Sequence, residues 1–196
     1  MKAAAGTERA RLFYALWPDE AVRGEIARLA GQVLGPLPGR PVPARNLHLT
    51  LAFLHSVPRV QLPALLDLGA RLALPPLELE LDRWGWFDRP RVLWLGPSRV
   101  PPALAAFERT LWQGLAPLGF AREHAQFRPH VTLRRKAVAP PAEPPRPVAW
   151  PVRAWALVES QPGPGGSVYS PLAQWPARHT IAADAADSAA AGPRDS

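Results

Sequence analysis

The sequence predicts an α+β protein built from two similar lobes around a shared cleft, on three observations. Strand-like runs alternate with helical apolar spacing along 196 residues, of which 47% are hydrophobic, enough for a real core. A four-letter pattern, HxTx, occurs twice, at residues 48–51 and 130–133. Each copy follows a helix-like segment, so the halves repeat one outline.

The first strand is expected at Arg11 to Trp17 (RLFYALW). Pro18 and Asp19 then start a helix whose apolar positions are Val22, Ile26, Leu29 and Val33. The loop GPLPGRPVP leads into the first motif strand, NLHLTLAFL. Strict alternation puts His48, Thr50 and Ala52 on one face of it and Leu47, Leu49, Leu51 and Phe53 on the other. A second helix through Leu62, Leu65, Leu66 and Leu72 stops at Pro75 and Pro76. Strands at Leu77 to Trp84 and Arg91 to Leu95 are expected to form a hairpin.

From Pro102 to Leu118, residues Leu104, Phe107, Leu111, Leu115 and Leu118 mark one helical face ending at Gly119. The second motif, RPHVTLRRK, follows with His130, Thr132 and then Arg134 on one face. APPAEPPRP (139–147) is too proline-rich for regular structure and reads as a stiff surface connection. Strands at Val148 to Glu159 and Val168 to Trp175 are joined by QPGPGGS. That glycine cluster lacks the GK[ST] ending of a phosphate loop and reads as a hairpin turn. The expected organisation is a flexible segment 1–10, one bilobal domain over 11–176 and a disordered tail over 177–196.

With no cysteine, disulfides, thiol nucleophiles and zinc–thiolate sites are excluded. No run approaches the 18 or so apolar residues of a spanning helix, and the N-terminal apolar stretch is short for a secretory signal. A cytoplasmic protein without membrane contact is therefore expected. The net charge of +7 favours an anionic partner such as nucleic acid. Only Lys2 and Lys136 are lysines, so the excess is arginine, which GC-rich codon use also produces.

Two histidines facing one cleft can give and take protons near neutrality, because the unperturbed imidazole pKa is about 6.5. A threonine one pleat further on can donate a hydrogen bond to a phosphoryl oxygen, and Arg134 on the same face can fork onto it. Alternatives are a metal site using His48, His130 and His124 or His55, for which no HExxH or carboxylate cluster appears, and an RNA-end-binding module. In the second, Arg45, Arg128, Arg134, Arg135 and Lys136 grip phosphates while Tyr14, Trp84, Trp86 and Phe87 stack bases. Core packing is the ordinary role for most of those aromatics. His55, His124 and His179 are read as solvated groups.

RLFYALWP, PARNLHLTLAFL, RVLWLG, FRPHVTL and YSPLAQW together resemble the 2H phosphoesterase superfamily, specifically the bacterial RNA 2′,3′-cyclic phosphodiesterases also called LigT-like 2′-5′ RNA ligases. The resemblance spans roughly Arg11 to Trp175. It implies two pseudo-symmetric lobes of antiparallel sheet with outer helices, and hydrolysis of RNA 2′,3′-cyclic phosphate ends to 2′-phosphomonoesters without metal or other cofactor. By the same resemblance His48 is the general acid and His130 the general base, Thr50 and Thr132 hold the phosphate, and the reverse chemistry joins tRNA halves through 2′-5′ linkages. A monomer is expected. A small cyclic nucleotide or a cyclic ADP-ribose phosphate is the alternative substrate within the superfamily.

Overall fold

In this computed structural model, residues 8–164 and 166–178 are described; the expectations for 1–7, for His179 and for the remaining tail lie outside them. Strand β1 (Arg9–Leu16) leads to helix α1 (Glu20–Leu34), whose N-cap Asp19 accepts the Val22 N–H at 2.9 Å. Satisfying an orphan donor there is why the helix starts where the sequence places it. Two-residue β2 (Arg40–Pro41) precedes β3 (Leu49–Pro58) and α2 (Leu62–Arg71). Next come β4 (Leu77–Leu81), β5 (Arg83–Phe87), β6 (Val92–Gly96) and α3 (Pro102–Leu115), followed by a 3-10 turn to Leu118. Gly119 closes that turn with φ 87°, a left-handed conformation that glycine adopts without strain. β7 (Val131–Arg135), β8 (Val148–Val152), β9 (Ala154–Gly163) and β10 (Gly166–Pro176) complete the order.

One large antiparallel sheet runs β10-β9-β1-β3-β7-β6-β5, with β2 also paired to β7. One lobe is thus β10-β9-β1-β3 and the other β7-β6-β5, and they join edge to edge where β3 meets β7. The three helices cover one face: Ile26 of α1, Leu65 of α2, and Leu104 and Leu111 of α3 share a core with Tyr14, Leu16, Leu49, Leu95 and Val131. The buried Tyr14 hydroxyl donates to Leu65 O at 2.7 Å, fastening α2 to β1. The opposite face carries a small cluster of Phe13, Ala15, Ala156 and Val158 with Trp17, Phe53 and Tyr169 packed on it.

Three local expectations change. In α1 the buried residue of the last turn is Leu34, while Val33 is 38% exposed. The strand expected from Leu77 to Trp84 breaks at Asp82, whose carboxylate takes both the Ser98 N–H and hydroxyl at 2.6 Å. β4 therefore leaves the hairpin, which β5 and β6 form, and pairs with β8 in a separate two-stranded sheet. Correspondingly, the long strand expected from Val148 divides at Arg153 into β8 and β9.

Candidate active site

The lobes meet through one pair, Leu49 opposite Val131 in antiparallel register. Stepping one residue each way places Thr50 across from His130 and His48 across from Thr132. The four motif side chains occupy the corners of a small rectangle, histidines on one diagonal and threonines on the other. Repetition in the chain has become a local two-fold relation in space.

Both imidazoles are held by the same device. His48 Nδ1 donates to Asn46 O at 2.7 Å, and His130 Nδ1 donates to Arg128 O at 2.7 Å, each to the carbonyl two residues earlier. A carbonyl can only accept, so Nδ1 carries the proton and Nε2 faces the reaction space with its lone pair. Nε2 of His48 also meets Thr50 Oγ1 at 3.1 Å. Asn46 is itself buried, with its side-chain amide donating to Ser167 O of β10 at 2.7 Å.

Each ring sits among aromatics. His48 lies 4.8 Å from Phe13, 5.8 Å from the stacked Trp17 and 5.1 Å from the Tyr169 edge. His130 lies 5.0 Å from Phe87 and 5.7 Å from Trp94. Gly85 makes room for that indole, because a Cβ there would stand 1.8 Å from the Trp94 ring. Burial is the main reason the His48 pKa falls from 6.5 to about 4, with the nearby His130 and Arg135 charges adding to it and the Asn46 bond opposing. Burial likewise lowers the pKa of His130, assisted by Arg135 and opposed by the Arg128 carbonyl. Burial thus favours the neutral form of both rings.

Arg134 is not where alternation places it. Its guanidinium donates to Leu37 O at 2.5 Å and Gly39 O at 3.2 Å, tying down the loop after α1, and only 7% of it is exposed. The reason is a β-bulge: β6 pairs Trp94 with Thr132 but Leu93 with Arg134, so Leu133 is an extra residue and the facing of everything after it reverses. Arg135 now shares the face of its partner Val92, which alternates with Trp94, and its charge reaches both histidines. The same happens after the first motif. β1 pairs Ala15 with Thr50 but Tyr14 with Ala52, making Leu51 the extra residue. Ala52 thus joins the core and Phe53 turns to the site, the reverse of the expected faces.

A cleft of about 660 Å³ opens from Thr50 and His130 along β3 past Phe53, with Phe87, Phe127, Arg89 and Arg128 among its walls. Phe87 therefore faces the site, whereas Tyr14 and Trp84 belong to the core. His124 stands at the cleft wall, and His55 bonds Glu123 at 2.6 Å. Among the described residues no three His, Asp or Glu side chains gather closely enough to share a metal ion.

A family model of the 2′-5′ RNA ligase superfamily matches residues 18–163. The chain belongs to this superfamily. As a 2′-5′ RNA ligase superfamily member it is 36% identical over 171 residues to the RNA 2′,3′-cyclic phosphodiesterase of Escherichia coli (strain K12), covering 86% of this chain and 97% of that one. It is 35% identical over 182 residues to the protein of the same name from Thermus thermophilus, covering 86% and 90%. Among solved superfamily structures, E. coli LigT complexed with 3′-AMP aligns with a TM-score of 0.80 at 35% identity, over 88% of this chain and all of that one. The apo form gives 0.78 over 87% and 98%. The superfamily fold is the α+β arrangement of two antiparallel lobes with helices outside.

Proposed function

We propose that this chain hydrolyses 2′,3′-cyclic phosphate ends of RNA to 2′-phosphomonoesters, with His48 and His130 as the proton-transferring pair. The observation that carries the reading is the Leu49–Val131 register, which puts two Nδ1-anchored histidines on one diagonal of a small rectangle and the two threonines on the other. It agrees with the activity named for the E. coli and Thermus relatives.

His130 Nε2 takes a proton from water as its oxygen bonds to phosphorus. The P–O3′ bond breaks, and the departing O3′ takes a proton from His48 Nε2. Thr50, Thr132 and Arg135 hold the non-bridging oxygens, replacing Arg134 in that role. Acid duty requires His48 to be protonated although burial keeps it neutral; the negative phosphate, opposite in sign, restores the proton on binding. Replacing water by the 5′-hydroxyl of a second RNA gives a 2′-5′ phosphodiester through the same transfers. Ends such as those of tRNA halves fit this chemistry. One chain supplies both motifs, so a monomer acting in the cytoplasm suffices.

The test is to incubate the protein and its His48→Ala and His130→Ala variants, with EDTA present, with a short RNA ending in 2′,3′-cyclic phosphate. A 2′-phosphate appearing with the parent, and slowed by about 10² to 10⁴ in either variant, is the expected result. Persistence of the cyclic end in the parent reaction refutes the proposal. Binding that survives in all three without turnover identifies an end-binding module instead.

A further inference from the structure

The cleft is larger than a phosphate needs and leads away from the motif rectangle in one direction. At the His48–Thr132 end the seam is closed: β2 pairs with β7 at Arg40–Arg135 and Pro41–Arg134, and Val42 N–H donates to Leu133 O at 2.8 Å. At the Thr50–His130 end β3 and the segment before β7 diverge without pairing, and the 660 Å³ cleft fills the gap. A 2′,3′-cyclic phosphate is by definition a 3′ end, so any further RNA continues only from the 5′ side of the terminal ribose. With O3′ beside His48, that continuation passes Thr50 and enters this gap along β3.

The walls suit single-stranded RNA. Phe53, Phe87 and Phe127 are all partly exposed, Phe53 with the Arg11 guanidinium 5.5 Å over its ring, and bases stack on aromatics without regard to sequence. Arg89 and Arg128 line the same walls, and among the described residues neither meets a carboxylate; Arg128 has only Gln126 within reach, at 3.3 Å. The two acidic side chains of the cleft are both engaged. Glu108 holds Arg122 at 2.6 and 2.7 Å, and Glu123 holds His55. Arg89 and Arg128 are thus the cleft's cations without a carboxylate partner among the described residues, open to a polyanion.

We propose that this cleft is a subsite for the nucleotides immediately 5′ of the cyclic phosphate, with bases stacked on Phe53, Phe87 or Phe127 and the preceding phosphates held by Arg89 and Arg128. It rests on the hydrolase reading above, and makes the protein a processor of single-stranded RNA ends in preference to free cyclic nucleotides.

The experiment compares kcat/KM on a 2′,3′-cyclic mononucleotide with RNAs of two, three and six nucleotides bearing the same end, for the parent, Arg89→Glu and Phe127→Ala. The readout is the oligomer-to-mononucleotide ratio, so a general loss of activity cancels. The ratio is expected to rise on the order of tenfold by two or three nucleotides and then level off, as one or two stacked bases predict. Arg89→Glu should remove most of that rise and flatten its dependence on salt while the mononucleotide rate stays unchanged. Affinity for the corresponding 2′-phosphate-ended RNAs, read by fluorescence anisotropy, judges the subsite independently of turnover. Equal ratios at all lengths in the parent, or an unchanged length advantage in both variants, overturn the proposal. Loss of mononucleotide and oligomer turnover together in the parent, with length-dependent affinity intact, sinks the hydrolase reading and leaves the subsite standing.

Discussion

Burying His48 among Phe13, Trp17 and Tyr169 has a cost that folding must show as pH falls. In the unfolded chain the imidazole titrates near 6.5, and in the folded protein near 4. Between those values the unfolded state carries a proton that the folded state lacks, so stability is full above 6.5 and declines as pH drops toward 4. At about 1.4 kcal/mol for each pH unit, the full gap is worth about 3 kcal/mol, and about 2 kcal/mol of it falls between pH 7 and pH 5. For a domain of this size about 2 kcal/mol lowers Tm by roughly 4–8 °C. Urea unfolding of the parent and of His48→Gln at both pH values is the assay, since glutamine removes this titration and leaves the carboxylates common to both. The parent should lose about 2 kcal/mol more than the variant. Equal losses would refute the claim that the ring is desolvated, and with it the need for a phosphate to protonate His48.

Three further outcomes separate structural from functional residues. Arg134→Met should lower stability by about 2–4 kcal/mol, because carbonyls at Leu37 and Gly39 lose a buried charged donor, with kcat/KM within a few-fold of the parent. Arg135→Met should do the opposite, leaving urea unfolding within about 0.5 kcal/mol and cutting kcat/KM roughly 10- to 100-fold. Gly85→Ala forces a Cβ into the Trp94 indole, whose displacement disturbs the ring packed 5.7 Å from His130. A stability loss of about 1–3 kcal/mol accompanied by a fall in kcat larger than any change in KM is expected from unfolding and steady-state measurements.

Features that depend on neighbours a few residues away were legible. Asp19 capping α1, the apolar stripe of α3 and the glycine-rich turn between β9 and β10 all follow from local spacing and turn chemistry. The motif corners were legible too, since His and Thr two apart share a face and both bulges fall after the Thr. Pairing of β4 with β8 was not: its partners, such as Leu79 and Trp150, lie far apart in the chain, and hydrophobicity alone does not say which strand a run will choose. Nor were the bulges, and with them Arg135. One signal existed in the run LTLAFL, where Leu49, Leu51, Ala52 and Leu54 are all buried. Apolar residues at both parities imply a change of facing between Leu51 and Ala52, and the matched position after the second motif carries the same change.

That matching makes the scaffold nearly two-fold, and a two-fold site cannot by itself assign one acid and one base. Motif residues 48, 50, 51, 52 and 53 correspond to 130, 132, 133, 134 and 135, so the mate of Arg135 is Phe53. The asymmetry is a guanidinium on the β7 side, where the proposal puts the phosphate oxygens, against an apolar ring and the open cleft on the β3 side, where it puts ribose and base. On the proposed reading, ribose on the β3 side brings O3′ to His48 as the acid and leaves His130 to activate water. A phosphodiester with a nitrophenyl leaving group tests this directly, because nitrophenolate departs without needing a proton. On that substrate His48→Ala should retain most of the parent activity, whereas His130→Ala should lose about 10² to 10⁴, as on RNA. The inverse pattern would exchange the two roles and place the ribose beside Arg135 on β7.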